Sequence, residues 1–255
     1  MKNITKFFLS ICFSVIFILP IFAQNEEKNF LKTAENLLLN VKSELDINSE
    51  IEFLKNTDIS FLKNELNDDI KKKAFWVNIY NAFVLMQLKA DESVYEKKNT
   101  FFKNKNICIA KIYFSLDDIE HVILRNNTCK WSLGYFKAWF TNKTLKSLMV
   151  NELDTRIHFA LNCGAASCPP IAYYDFQYLD EEFNIAVLSY FPNGLETDNE
   201  NIYLPTFMSW FRGDFGGKKG IKNFLIKHQL LKQENFDKKI KFKDYDWTVD
   251  LNNFR

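Results

Sequence analysis

Much of the chain's reactive chemistry is gathered in one stretch, RIHFALNCGAASCPPI, at residues 156–171. His158, Cys163 and Cys168 fall within eleven positions of each other. A thiolate is a strong nucleophile, but a free thiol is mostly protonated at neutral pH and needs a neighbouring base or cation to react. Three chemistries are open to such a set. One cysteine could be a nucleophile activated by a histidine. The two thiols could be a short-loop disulfide. They could also ligate a metal together with His158 and His121. A C-x4-C spacing is a weak metal signal beside paired C-x2-C motifs, and the sequence assigns no metal and no cofactor.

Alternation of polar and apolar residues reads 156–162 as a β-strand. Ile157, Phe159 and Leu161 would then face the core, with His158, Ala160 and Asn162 on the other side. Continued to residue 163, that strand would turn Cys163 away from His158, unless the chain breaks near Gly164. On this parity His121 is the better partner for Cys163, and His158 for Cys168.

Two helices must carry the remaining polar candidates. SLDDIEHVILR, residues 115–125, opens with Ser115 and Asp118 at capping-box spacing. It then presents Glu120, with His121 and Arg125 sharing a face at i, i+4. NDDIKKKAFWVNIYNAFVLMQLKA, residues 67–90, can be capped by Asn67 or Asp68. From Ala74 to Leu88 it is apolar nearly all round, which predicts a buried helix. Asn78, Tyr80 and Asn81 are exceptions. Unpaired buried amides are costly, so Asn78 and Asn81 either tie down neighbouring backbone or line a site.

Around these lie an amphipathic helix over 26–46 and a second over 49–66, which form an N-terminal arm. A strand is expected in NICIAKIYF, a helix over 180–191 and a strand at NIYLP. A helix over 219–232 and a strand pair near KKIKFKDYDWTVDL follow. With no βαβ period and no repeat, the pattern predicts an α+β fold. It is a single mixed domain over 67–255 after an arm at 24–66, with helices packed on a small, mainly antiparallel sheet. The RGD and DFG tripeptides at 212–216 read as chance.

MKNITKFFLSICFSVIFILPIFAQ has the charge, apolar core and small residue of a secretory signal peptide, residues 1–23, cut after Ala23. Its apolar run, Phe7 to Leu19, is shorter than the roughly 20 residues a bilayer span needs. The mature chain is therefore expected to be exported, periplasmic or secreted, with no integral membrane segment. Cleavage leaves 31 basic and 32 acidic residues, a net charge of −1 that advertises neither nucleic-acid nor anionic-membrane binding. Four cysteines remain, and Cys108 and Cys129 are plausible disulfide partners.

FWVNIYNAFVL, SLDDIEHVILR, RIHFALNCGAASCPPI and SWFRGDFGG, in that order, resemble the signature blocks of the domain of unknown function 547 family, over roughly 70–245. The resemblance implies one domain, found in exported bacterial proteins and some plant proteins. Its blocks would meet in a site containing Asn78, Asn81, Glu120, His121, His158, Cys163, Cys168 and Asp214. It also suggests a distant relation to papain-like or transglutaminase-like cysteine hydrolases. Those enzymes set Cys at a helix start ahead of His, whereas here the histidines come first. The expected function is a cysteine-dependent hydrolase or acyl transferase acting on an amide or ester of a peptide, cell-wall or small-molecule substrate. Cys163 would be the nucleophile, with Cys168 as alternate. His158 or His121 would be the base, oriented by Glu120 or Asp214. Asn78, Tyr80 and Asn81 would meet the substrate or an oxyanion. The rival expectation is a non-catalytic exported binding module with structural cysteines.

Overall fold

A computed structural model describes residues 28–255, so the signal-peptide reading of 1–23 lies outside the described residues. The arm is three helices: α1 (Phe30–Ser43), α2 (Asn48–Asn56) and α3 (Ile59–Glu65). The Asn29 side chain caps α1 by accepting from Lys32 N at 2.8 Å. Glu65, at the end of α3, accepts from the Phe30 and Leu31 amides at 2.8 Å each. A carboxylate there meets the positive end of the helix dipole and ties the arm together. The apolar stripe of α1, from Phe30 through Ala34 and Leu37 to Val41, is buried against α4 (Asp69–Ala90). Phe30 meets Phe75 edge-on at 5.9 Å.

Asp68 caps α4 by accepting from Lys71 N at 2.9 Å, and every side chain from Ala74 to Leu85 is buried. Each polar group on so enclosed a helix needs a partner. Asn78 donates to Tyr174 O at 2.8 Å and accepts from Tyr174 N at 2.9 Å. Asn81 donates to Ala160 O and accepts from Asn162 N, both at 2.9 Å. Both amides act as stand-ins for a strand neighbour and hold distant backbone against α4.

After α5 (Lys98–Lys103), β1 (Ile107–Ile109) and β2 (Ile112–Phe114) form an antiparallel hairpin. Its two turn residues, Ala110 and Lys111, take left-handed φ values of 51° and 64°. The capping box forms reciprocally: Ser115 N donates to Asp118 Oδ2 and Asp118 N to Ser115 Oγ, both at 3.0 Å. Beyond it, Asp118–Leu124 winds as a π-helix, with Arg125 N reaching Glu120 O at 2.9 Å. Helix α6 (Lys143–Leu148) follows.

Residues 156–162 do not form the expected strand. Thr155–Phe159 is a 3-10 helix, capped by Asp154 accepting from Arg156 N at 3.0 Å. The Asn81 side chain then takes the Ala160 and Asn162 backbone groups that a sheet ladder would have used. The parity that separated Cys163 from His158 therefore does not apply.

The rest is α7 (Leu179–Ser189), β3 (Asn201–Leu204), α8 (Phe207–Trp210), α9 (Gly217–Lys227) and β4 (Lys239–Phe242). The α+β class holds. Among the described residues, however, the strands form two separate pairs rather than one mainly antiparallel sheet, and β3 runs parallel to β4. In place of the expected final strand pair, β4 is followed by a tail that makes isolated bridges from Val249 to Ala165 and from Phe254 to Ile171. Cys108 and Cys129 are both free thiols, which corrects the expected disulfide.

Asn81→Leu removes the partners of one buried carbonyl and one buried N–H. We expect it to destabilise the fold by about 1–3 kcal/mol, read as a lower urea-unfolding midpoint at unchanged slope. An unchanged midpoint would show that the amide is dispensable.

Candidate functional site

A cavity of about 430 Å³ is lined by Tyr80 from α4, Glu120 and His121 from the π-helix, His158 from the 3-10 helix, and Cys163 and Cys168 from the loop that follows. Trp210, Phe211, Tyr245 and Trp247 supply an aromatic wall. The structure thus brings together both cysteines, both candidate histidines, Glu120 and Tyr80. Asp214 stands behind His158. Asn78 and Asn81 do not line the cavity, because their amides are occupied by backbone, so the substrate or oxyanion role expected of them is withdrawn.

The thiol loop is held from three sides. Buried Asn162 donates to Pro169 O and accepts from Gly164 N, both at 2.7 Å. Gly164 has φ 94°, and a Cβ there would lie 2.3 Å from Leu88 Cδ1, so only glycine fits. The C-terminal tail pairs with the loop through Ala166 N to Thr248 O at 2.8 Å and Asp250 N to Gly164 O at 3.0 Å. That pairing delivers Tyr245, whose hydroxyl lies 3.3 Å from Cys163 Sγ and 3.2 Å from Cys168 Sγ. Tyr95 reaches Cys163 Sγ at 3.5 Å. The two sulfurs are 2.7 Å apart and unbonded.

These contacts separate the thiols chemically. Cys168 is buried and accepts the Cys163 N–H at 3.0 Å; burial and then its sulfur neighbour push its pKa well up. Cys163 is partly exposed. Hydrogen bonds from Cys168, Tyr245 and Tyr95 outweigh its burial and pull its pKa below the usual thiol range.

The histidines also differ. His158 Nε2 lies 2.9 Å from Asp214 Oδ2, and its ring stacks on Phe211 at 4.1 Å. Burial raises the Asp214 pKa, but hydrogen bonds from His158 and Arg125 outweigh it and keep the carboxyl below its usual range. A carboxylate only accepts, so His158 carries its proton on Nε2. Nδ1 is left as a lone pair with no protein partner among the described residues. Burial, partly offset by Asp214, lowers the His158 pKa.

His121 Nδ1 lies 2.9 Å from Arg125 Nη1, and a guanidinium only donates. His121 is therefore an acceptor at Nδ1 and bears its proton on Nε2, 3.6 Å from Asp117 Oδ1. Burial, then the charge of Arg125, push its pKa down to about 3. With its lone pair engaged, His121 is not the base. Glu120 accepts from Tyr80 Oη at 3.2 Å and stands 3.6 Å from His121 Nδ1, beyond hydrogen-bond distance of a nitrogen that Arg125 already holds; Asp214 orients His158. Among the described residues, neither thiol hydrogen-bonds to a histidine, and no group of three His, Cys, Asp or Glu side chains is arranged to hold a metal.

Arg125 is a functional residue the sequence reading left out of the site. It is fully buried and grips Asp214 through Nε–Oδ2 at 2.7 Å and Nη2–Oδ1 at 3.1 Å. Its i, i+4 spacing from His121 was the available signal. Tyr95 and Tyr245 lie outside the recognisable blocks and gave none. Asp214 is seated by a close backbone contact: a Cβ on Gly213 would lie 2.4 Å from Gly134 C and 2.5 Å from Tyr135 N.

A histidine kept neutral by the fold makes stability depend on pH. Unfolded His121 would bind a proton near pH 6.5, and the folded one only near 3. The unfolded chain takes up the proton first on acidification. The contribution is therefore complete above about pH 6.5 and is lost as pH falls towards 3, by up to about 1.4 kcal/mol per pH unit. His121→Asn keeps an acceptor for Arg125 but cannot titrate. Urea unfolding between about pH 6 and pH 4 should show a shallower loss of stability in the variant; parallel slopes would refute the assignment.

A family model described as "Protein of unknown function, DUF547" matches residues 64–191, half of the chain. No curated protein and no solved structure matches the chain. The matched span contains Tyr80, Glu120, His121, Arg125, His158, Cys163 and Cys168, and the chain belongs to the DUF547 family.

Proposed function

We propose that the protein is an exported cysteine-dependent hydrolase or acyl transferase acting on an amide or ester. The observation that carries this reading is that the partly exposed Cys163 thiol and His158, whose Nδ1 lone pair is unpartnered, line one cavity. Cys163 attacks the acyl carbon. The donors around its sulfur favour the thiolate, and His158 Nδ1 takes the proton when the thiol is the starting form. The resulting imidazolium is stabilised by Asp214 and passes its proton to the departing amine or alcohol. Water, or a second nucleophile, then cleaves the thioester.

The developing oxyanion needs a donor. The backbone N–H groups of Cys163 and Gly164 are committed to Cys168 Sγ and Asn162 Oδ1. The His121 Nε2–H is neutral, fixed in its tautomer by Arg125 and on the cavity wall, and we assign it this role. The aromatic wall suits an apolar or planar acyl group from a peptide, cell-wall or small-molecule substrate. Export rests on the character of residues 1–23.

An activated ester, p-nitrophenyl acetate, tests the chemistry without knowledge of the substrate. Acetylation should map to Cys163 by peptide mass, with a pH midpoint below the free-thiol value of about 8.5. It should vanish in Cys163→Ser and slow by about 10²–10⁴-fold in His158→Ala. Acetylation that ignores His158, or that falls on Cys168, would leave the binding-module reading in its place. For export, the mature chain should begin at Gln24 in the exported fraction; an intact Met1 terminus in membranes would refute it.

A further inference from the structure

One surface feature takes no part in this chemistry. Between Glu120 and Glu152 the chain has no acidic residue, and it carries Lys130, Lys137, Lys143 and Lys146. In the same stretch, Trp131, Phe136, Trp139 and Phe140 are 83%, 69%, 93% and 90% exposed, and Tyr135 is also exposed. Single exposed apolar residues are ordinary; several large aromatics on one short loop mark an interaction site.

The loop is not loose. Cys129 N donates to Phe136 O at 2.9 Å, Ala138 N to Asn127 O at 2.7 Å, and Asn127 Nδ2 to Ala138 O at 2.8 Å. Gly213 N donates to Leu133 O at 2.7 Å, which fixes the loop to the segment that bears Asp214. Its base lines the cavity through Lys130 and Leu133. The backbone is thus held while the rings stand outward.

Charge selects the occupant. Lys130 is paired with Asp117 at 2.8 Å, but Lys137, Lys143 and Lys146 are exposed and have no acidic partner among the described residues. Much of the loop's backbone hydrogen bonding is already internal, which leaves little edge for an added strand. What it offers is aromatic rings and lysines. Aromatic rings settle at the headgroup level of a bilayer, and lysines are drawn to anionic lipid. We infer that the Trp131–Phe140 loop docks the protein on an anionic lipid surface, with Trp139 and Phe140 entering the interface and Lys137 and Lys143 meeting the headgroups. Docking of this kind lies on the membrane and does not span it, in keeping with the absence of any helix long and apolar enough to cross a membrane among the described residues.

The test uses protein beginning at Gln24, which keeps every described residue. It is sedimented with vesicles of equal parts phosphatidylglycerol and phosphatidylcholine, and with phosphatidylcholine vesicles alone. The protein should partition into the anionic vesicles and far less into the neutral ones. A Trp139→Ser/Phe140→Ser variant should lose at least about tenfold in partitioning with an unchanged unfolding midpoint, since both side chains are almost fully exposed. Lys137→Glu/Lys143→Glu should lose binding to anionic vesicles only. Equal partitioning into both vesicles, binding to neither, or wild-type binding by the Trp139/Phe140 variant would overturn the inference. So would a wild-type dimer that ignores vesicles and becomes monomeric in that variant, which would make the loop a protein interface.

Discussion

The site depends on one buried ion pair. Arg125 has no exposed surface, and a guanidinium taken so far from water must find its partners inside the protein. Two of its donors go to the Asp214 carboxylate and a third to His121, while its face lies 4.6 Å from the centre of the Phe211 ring. This one cation sets the two histidines in opposite states. Acting through Asp214, which it helps keep ionised, it places the His158 proton on Nε2 and frees Nδ1. Acting directly on His121, it occupies Nδ1 and leaves an N–H at Nε2. One imidazole becomes a lone pair and the other a donor. Removing one member of such a pair leaves an uncompensated buried charge, at a cost of about 3–5 kcal/mol.

Segments far apart in the chain meet here, and side-chain amides do much of the work a sheet would otherwise do. Asn78 and Asn81 pin backbone some 80 to 96 residues away onto α4. Asn162 closes the thiol loop on itself, and the C-terminal tail completes it. The family match ends at residue 191, yet Asp214, Tyr245 and Trp247 complete the cavity and its support from beyond that point. The matched span therefore supplies the thiols and both histidines, and segments beyond residue 191 supply the carboxylate that orients one histidine and a hydroxyl that touches both thiols.

Features with a short physical range could be read in the sequence. The Ser115–Asp118 capping box, the Asp68 cap and the buried face of α4 are decided within a few residues, and each forms. So is the His121–Arg125 spacing, although its importance comes from Asp214, 89 residues past Arg125. The strand reading of 156–162 failed because alternation describes side chains, while the backbone of that segment is bonded to an asparagine on another element. The parallel pairing of β3 and β4 is likewise invisible locally, because the two strands are separated by α8 and α9. Glu120 next to His121 suggested a carboxylate–imidazole pair. Glu120 Oε1 does lie 3.6 Å from His121 Nδ1, but Arg125 holds that nitrogen at 2.9 Å, and the carboxylate takes its hydrogen bond from Tyr80.

The same difference in range explains why net charge says little about any one face of the surface. A formal charge of +1 is a sum over the whole chain, but charges in water interact over a Debye length of about 10 Å at 0.1 M salt. A partner approaching the Trp131–Phe140 loop meets the lysines there, not the average. Acidic residues elsewhere balance the count without balancing the field at that face. A near-neutral total therefore limits long-range attraction and leaves the chemistry of any one face open. What fixes that face is the order of residues along 121–151, where aromatic and basic side chains share a stretch with no acid among them.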